Sequence, residues 1–284
     1  MTPNLRGALF MVLAMAGFAI EDSLLKGATA RGVPVGQVLV MFGGTGMLVF
    51  AALARAQGDR VLHPAILTRP LLVRAVFEVM GRLFFTLSLA LTSLSATSAI
   101  LQAAPLMVIA GAAVIFGERV SPARWLAVLL GFIGVLIILR PGLEGFTPLS
   151  ILAVLGMIGF AGRDLATRAA PKILSNFQLG IYGFAMMVPA GFGMLIWKGG
   201  AIWPDATALA YLAAAVGVGV AAYNFLTVAM RTGDVSAVTP FRYTRLVFAM
   251  VLGAAVFGER PDLLTLLGSV IVVGAGIFAL TIRR

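Results

Sequence analysis

Arg74, Glu78 and Arg82 follow one another at i, i+4 and i+8 in the stretch VRAVFEVMGRLFF, which is otherwise apolar. That spacing puts all three on one face of a helix. Two more guanidinium groups stand in Phe241-Arg242-Tyr243-Thr244-Arg245, and acidic groups occur as Glu21-Asp22 and, beside a cation, as Arg163-Asp164. A guanidinium offers a fixed fork of donors that suits a carboxylate or a phosphate. Glu78 and Arg82 could equally form an intrahelical ion pair whose service is to let the helix enter an apolar solvent. Arg242 and Arg245 could hold an external anion or pair with Glu78, Glu21 or Asp164, and neither use excludes the other. A carboxylate in a low dielectric can also exchange a proton near neutral pH, so Glu21 and Glu78 are candidates for coupling to protons.

The surroundings of these charges decide what they mean. Hydrophobic residues are 61% of the 284-residue chain and charged residues 11%, with a mean hydropathy of +1.05. A soluble domain carries about 45–50% apolar and about 25% charged residues. Lipid is therefore the solvent for most of this chain, and a closed β-barrel is disfavoured because the runs are continuously apolar rather than alternating. The first apolar run, of about twenty residues, reads as a transmembrane helix rather than a cleaved leader. With no cysteine there is no disulfide framework, thiolate metal site or cysteine nucleophile. The net charge of +10 is explained by basic loops, so no nucleic-acid partner is expected. His63 is alone in a loop, and neither a Walker-type glycine loop nor metal-ligand spacing occurs. The expectation is a protein that is not an enzyme and uses no cofactor and no metal.

Glycine, proline and charged punctuation divides the chain into ten segments long enough to span: about 5–26, 34–54, 71–92, 95–116, 122–139, 149–170, 176–197, 206–229, 235–257 and 262–281. With the N-terminus inside, the inner segments hold eleven cations: Arg6, Arg55, Arg60, Arg69, Arg119, Arg124, Arg168, Lys172, Arg231, Arg283 and Arg284. The outer loops hold five: Lys26, Arg31, Arg140, Lys198 and Arg260. That bias places both termini in the cytoplasm. Arg74 is near enough to the inner end to snorkel out, and Arg82, roughly 16 Å along its helix, falls close to the midplane.

A motif near the N-terminus repeats. Gly17-Phe18-Ala19 with Asp22 recurs as Gly159-Phe160-Ala161 with Asp164, an offset of 142. Phe116-Gly117-Glu118-Arg119 recurs as Phe257-Gly258-Glu259-Arg260, offset 141, and Phe84, Thr86 and Ser95-Ala96 recur as Phe225, Thr227 and Ser236-Ala237 at that same offset. Two homologous halves, 1–142 and 143–284, follow, each with five helices. Five is odd, so the second half must lie upside down in the membrane, an architecture common among secondary transporters. Under this alignment Asp22 matches Asp164, Arg82 matches Tyr223, Leu83 matches Asn224, Gln102 matches Tyr243 and Ala104 matches Arg245.

Ten helices in two halves, GFAxxD near the end of the first helix of each and a GER segment after the fourth, resemble the drug/metabolite transporter superfamily, EamA type. The resemblance implies a basket-shaped bundle around one central cavity, lined mainly by helices 1, 3, 4, 6, 8 and 9. It implies a secondary carrier of small metabolites in the bacterial inner membrane, working by alternating access, with amino-acid export favoured. Leu101-Gln102-Ala103-Ala104-Pro105 replaces the aromatic-rich fourth helix of exporters for aromatic amino acids. The alternative is uptake of a vitamin, a nucleoside or another anionic or zwitterionic metabolite; a channel or a lipid-modifying enzyme ranks lower. Arg82, Leu83, Gln102, Tyr223, Asn224, Arg242, Tyr243 and Arg245 are the expected cavity and substrate residues. Glu21, Asp22, Glu78, Arg163 and Asp164 are the expected gating or coupling groups. Pro105 and Pro240, with Pro189, are expected to kink their helices; Glu118 and Glu259 are expected to cap neighbouring backbone; the glycines are expected to serve close packing. A functional monomer, with the substrate and the bilayer as its partners, completes the reading.

Overall fold

The structure, a computed structural model, describes residues 1–91, 100–140, 148–257 and 262–282. Among those residues there are helices and turns and no β-strand. In the first half the helices are α1 (Pro3–Ala30), α2 (Val35–Ala56), α3 (Arg69–Leu91), α4 (Ala104–Phe116) and α5 (Pro122–Leu139). In the second they are α6 (Ile151–Ala169), α7 (Asn176–Lys198), α8 (Ala206–Arg231), α9 (Thr244–Phe257) and α10 (Leu263–Thr281). Local chemistry starts several of them. Ser121, Asp205 and Asp262 accept from the third amide of α5, α8 and α10, and Ser175 with Gln178 forms a reciprocal capping box on α7.

Among the described residues seven helices are long and apolar enough to cross a membrane: α1, α2, α5, α6 with its leading turn, α7, α8 and α10. The three others depart from the ten expected spans for identifiable reasons. α3 has the length, at 23 residues, but carries the Arg74, Glu78 and Arg82 face. α4 and α9 have only 13 and 14 residues, because a break precedes each. A one-turn helix (Val235–Val238) and a tighter turn (Thr239–Tyr243) lead into α9. Pro240 opens that tighter turn and Pro105 lies in the first turn of α4. A residue with no N–H and a fixed φ fits a first turn, where the donor would go unused. These two prolines interrupt helices instead of kinking them; Pro189 does lie inside a helix, α7. Ser95-Ala96, Gly258-Glu259-Arg260, Arg283 and Arg284 lie outside the described residues.

Packing is pairwise and antiparallel. α1 lies on α8, α2 on α7, α3 on α6 and α5 on α10. Glycine sets the closeness: a Cβ at Gly159 would stand 2.5 Å from the Cα of Gly81, and one at Gly134 would stand 2.8 Å from the carbonyl oxygen of Gly268. Gly36 meets Gly191, Gly43 meets Met187 and Gly46 meets Phe184, so successive turns of α2 climb down α7. Small residues allow such contact where van der Waals packing, not water, must hold helices together. At the bundle's rim, Arg31 pairs with Asp205 and Arg140 with Asp262, tying the ends of α1 and α5 to the starts of α8 and α10. The Arg140 guanidinium and the Thr265 amide hold Asp262 below the usual carboxylate range. His63 accepts from the Ala65 amide through Nδ1 at 3.1 Å and caps a turn before α3.

Gly159→Val is expected to break the α3–α6 contact, lowering the thermal midpoint in detergent and the monodisperse fraction. Gly217→Ala, where an added Cβ meets nothing within 4 Å, is expected to leave both unchanged.

Candidate functional site

The charges of α3 meet those of α6 and α8 in one buried cluster. Glu78 is fully buried. One of its oxygens accepts from Arg163 Nη1 at 3.4 Å and lies 3.9 Å from Arg82 Nε; the other accepts from the Tyr223 hydroxyl at 3.0 Å. Arg74 donates through Nη2 to the same hydroxyl at 2.5 Å and through Nε to Thr167 Oγ1 at 2.9 Å. Arg163 also reaches its neighbour Asp164, with Nη2 2.9 Å and Nε 3.0 Å from Oδ1. Asp164 in turn pairs with Arg242, in the turn before α9. The Phe160 ring lies under both Arg82 and Arg163, at 5.8 and 5.2 Å from its centroid. Four separate elements, α3, α6, α8 and the turn before α9, are thus joined through charged and polar side chains that are mostly buried.

A second acidic site stands on α1. Glu21 is 3% exposed, packs toward Gly219 of α8 and Phe42 of α2, and has one oxygen, Oε2, with no hydrogen-bond partner among the described residues. Asp22 turns the other way: its Oδ2 takes Arg245 Nε at 2.9 Å and Nη2 at 2.5 Å. Adjacent helical residues point about 100° apart, and the burial of one carboxylate with exposure of the other follows. The Asp22–Arg245 pair is open, with 51% and 40% of the two side chains exposed, and Arg245 lies over Phe18 at 5.3 Å.

Several expectations change. Arg74 does not snorkel: it is 2% exposed, because the Tyr223 and Thr167 oxygens are within reach inside the bundle. Glu78 serves two neighbouring helices in addition to Arg82. Tyr243 does not line an open cavity; it is fully buried with Ile109, Val128, Val135 and Val272, its ring against Gly131 of α5. Tyr223 is 2% exposed and bridges Arg74 to Glu78, so it faces buried charge and not an open cavity. Leu83, Gln102 and Asn224 are half-buried, and Asn224 Oδ1 has no partner among the described residues. Thr167 was not singled out in the sequence; its place one turn after Arg163, on the same face, is the signal for it. Glu118 caps the one-turn helix, accepting from the Val235 and Ser236 amides at 3.2 and 3.0 Å. Arg124 locks that cap through Ser236 Oγ at 2.8 Å and Asp234 at 3.4 Å.

The EamA-like transporter family model matches the chain twice, over residues 5–140 and 148–281. A riboflavin transporter of Rhizobium johnstonii is 28% identical over 96% of this chain and 90% of its own. An S-adenosylmethionine uptake transporter of Rickettsia prowazekii is 25% identical, over 96% and 92%. The pseudopaline exporter CntI of Pseudomonas aeruginosa is 26% identical, over 95% and 94%. A solved crystal structure superposes with a TM-score of 0.81 at 20% identity, covering 98% of each chain.

Removing one partner of a buried ion pair strands the other and costs about 3–5 kcal/mol. Glu78→Ala is therefore expected to destabilise the fold by that order, read as a loss of folded protein on heating. Adding Arg163→Leu is expected to recover part of the loss, because fewer guanidinium groups are then left uncompensated; additive losses would contradict the coupling.

Proposed function

The chain belongs to the EamA-like transporter family, and on that premise we propose that it is a secondary carrier of small metabolites that works by alternating access. The observation that carries this reading is the contrast between two ionic sites. One is a buried cluster across α3, α6 and α8; the other is an open Asp22–Arg245 pair beside a buried carboxylate, Glu21, with one oxygen unpartnered among the described residues. An exposed ion pair at membrane depth is tolerable only against a water-filled space. A mostly buried cluster that ties three helices together closes a path.

Ten spanning helices in two inverted halves, 1–142 and 143–284, form the scaffold in this reading. The helix pairings support it, because they map onto themselves when the halves are exchanged. Gly17 of α1 faces Ala222 of α8, and their equivalents, Gly159 (17 + 142) and Gly81 (222 − 141), face each other between α6 and α3. α2 and α7 are equivalent by the same offset yet run antiparallel, which is what inversion requires. Broken helices ahead of α4 and α9 are a recurrent feature of such folds. The loop cations put both termini on the cytoplasmic side of the inner membrane. The sealed cluster then lies in the inner half and the open pair faces outside. One chain supplies both mouths, so the carrier works as a monomer.

The cargo is a metabolite of vitamin or nucleoside-derivative size, in preference to a free amino acid. The names of the relatives support this choice: transporters of riboflavin, a vitamin, and of S-adenosylmethionine, a nucleoside derivative, occur among them. Around the central cluster Arg74, Arg82, Arg163 and Arg242 outnumber Glu78 and Asp164, which suits a cargo bearing negative charge.

Counterflow in proteoliposomes tests the proposal, with vesicles preloaded with riboflavin, S-adenosylmethionine, nucleosides or amino acids. Saturable exchange driven by a vitamin or nucleoside derivative is expected, with Arg245→Ala reducing it roughly tenfold or more, the worth of a charge-assisted bond. Exchange driven by amino acids alone would replace the cargo assignment, and an ion leak without saturation would replace the carrier by a pore.

A further inference from the structure

A pocket of 760 Å³ lies between the end of α6, the turn to α7 and the end of α8, lined by Arg168, Lys172, Asn176, Arg231 and Asp234. Arg231 is fixed across its base: Nη1 donates to the Leu174 carbonyl at 2.9 Å and to Asn176 Oδ1 at 2.7 Å, and Nη2 reaches the Pro171 carbonyl at 3.4 Å. The carboxylate of the lining, Asp234, is already engaged from outside the pocket by Arg124 at 3.4 Å and Asn4 Nδ2 at 3.3 Å. No ion pair joins Arg168, Lys172 or Arg231 to a carboxylate among the described residues. Three cations therefore line a recess whose one carboxylate, Asp234, is shared with Arg124 and Asn4.

The other half of the chain makes this surplus unusual. Lys172 is equivalent to Arg31 (31 + 141), and Arg31 is neutralised by Asp205. The residue equivalent to Asp205 (205 − 141) is Pro64, so the matching carboxylate is missing on the side of Lys172. Arg168 is likewise equivalent to Lys26 (26 + 142). At one mouth the cation is paired; at the other it has been left open.

We propose that this pocket binds a phosphate-bearing anion. Two or more negative oxygens on one small group match the forked guanidinium donors and the lysine ammonium that converge here. In the orientation proposed above, the pocket opens at the cytoplasmic surface, where basic recesses between helices take anionic lipid headgroups. The same chemistry would take the phosphate of a soluble solute arriving at the inner mouth. The assignment rests on that orientation and not on the identity of the cargo.

The test is a binding measurement on purified full-length protein in neutral detergent, followed by thermal unfolding without any transport assay. The probes are phosphatidylglycerol, phosphatidylcholine, inorganic phosphate and pyrophosphate. A rise in melting temperature with at least one anionic probe is expected, larger at low salt than at high. Arg168→Gln combined with Lys172→Gln is expected to weaken apparent affinity roughly 30-fold, two surface charges' worth. Arg31→Gln, at the opposite mouth, is expected to leave the response intact. A response to phosphatidylglycerol without one to phosphate or pyrophosphate identifies a lipid headgroup, and the reverse identifies a soluble anion. No rise with any anionic probe, an equal rise with phosphatidylcholine, or a rise that the double variant retains would overturn the proposal.

Discussion

A carboxylate with no exposure, in a bundle whose outer solvent is lipid, must be neutralised where it stands. Glu78 meets that constraint only because α6 and α8 bring Arg163 and the Tyr223 hydroxyl to it. The requirement runs both ways, since Arg74 and Arg163 would be equally costly without their oxygens. Glycine makes the meeting possible. Gly81 and Gly159 let α3 and α6 approach until their polar groups are in range, and larger residues there would hold the charges apart. Close packing and charge burial are thus one feature of this fold: each stands because the other does.

The two halves share a backbone plan and differ in their charges. Glu78 is equivalent to Gly219 (78 + 141), Arg163 to Glu21 (163 − 142) and Arg82 to Tyr223 (82 + 141). Where α3 and α6 exchange an ion pair, α8 and α1 therefore present a glycine to a carboxylate with an unpartnered oxygen. In the proposed carrier one mouth is then held by several bonds and the other by little more than the exposed Asp22–Arg245 pair. In the proposed carrier the resting conformation follows from that imbalance. A cargo able to neutralise the surplus guanidinium charge would be the natural agent to redistribute it.

Much of this was legible in the sequence. Composition and length give ten spans, of which seven are long and apolar enough among the described residues, and the GFAxxD motif recurs in both stretches that the family model matches. That Arg242 pairs with an acidic group of another helix, here Asp164, follows from the cost of charge in lipid. What escaped was direction and depth. Arg74 stands only two turns inside its helix, and spacing alone allowed it to reach the interface; a hydroxyl 149 positions away decided otherwise. Tyr243 was placed in the cavity by its alignment with Gln102, but the break before α9 turns its ring onto Gly131 instead. The breaks themselves were misread as kinks, because a proline in an apolar run looks the same whether it bends a helix or begins one. Repeat equivalence transfers position well and side-chain environment poorly.

The central claim is that the α3–α6–α8 cluster holds the inner mouth shut. The chain has no cysteine, so a single introduced thiol reports without background. Val220 lies one turn before Tyr223 on α8, on the side of the cluster away from the cytoplasm in the proposed orientation, and is 6% exposed. Reaction of Val220→Cys with a membrane-impermeant maleimide, from the cytoplasmic side of inverted vesicles, is the direct measurement. The account predicts that the thiol is protected while the cluster is whole and reacts once Glu78→Gln breaks it in a protein that remains folded. Equal reactivity in the two backgrounds would contradict it.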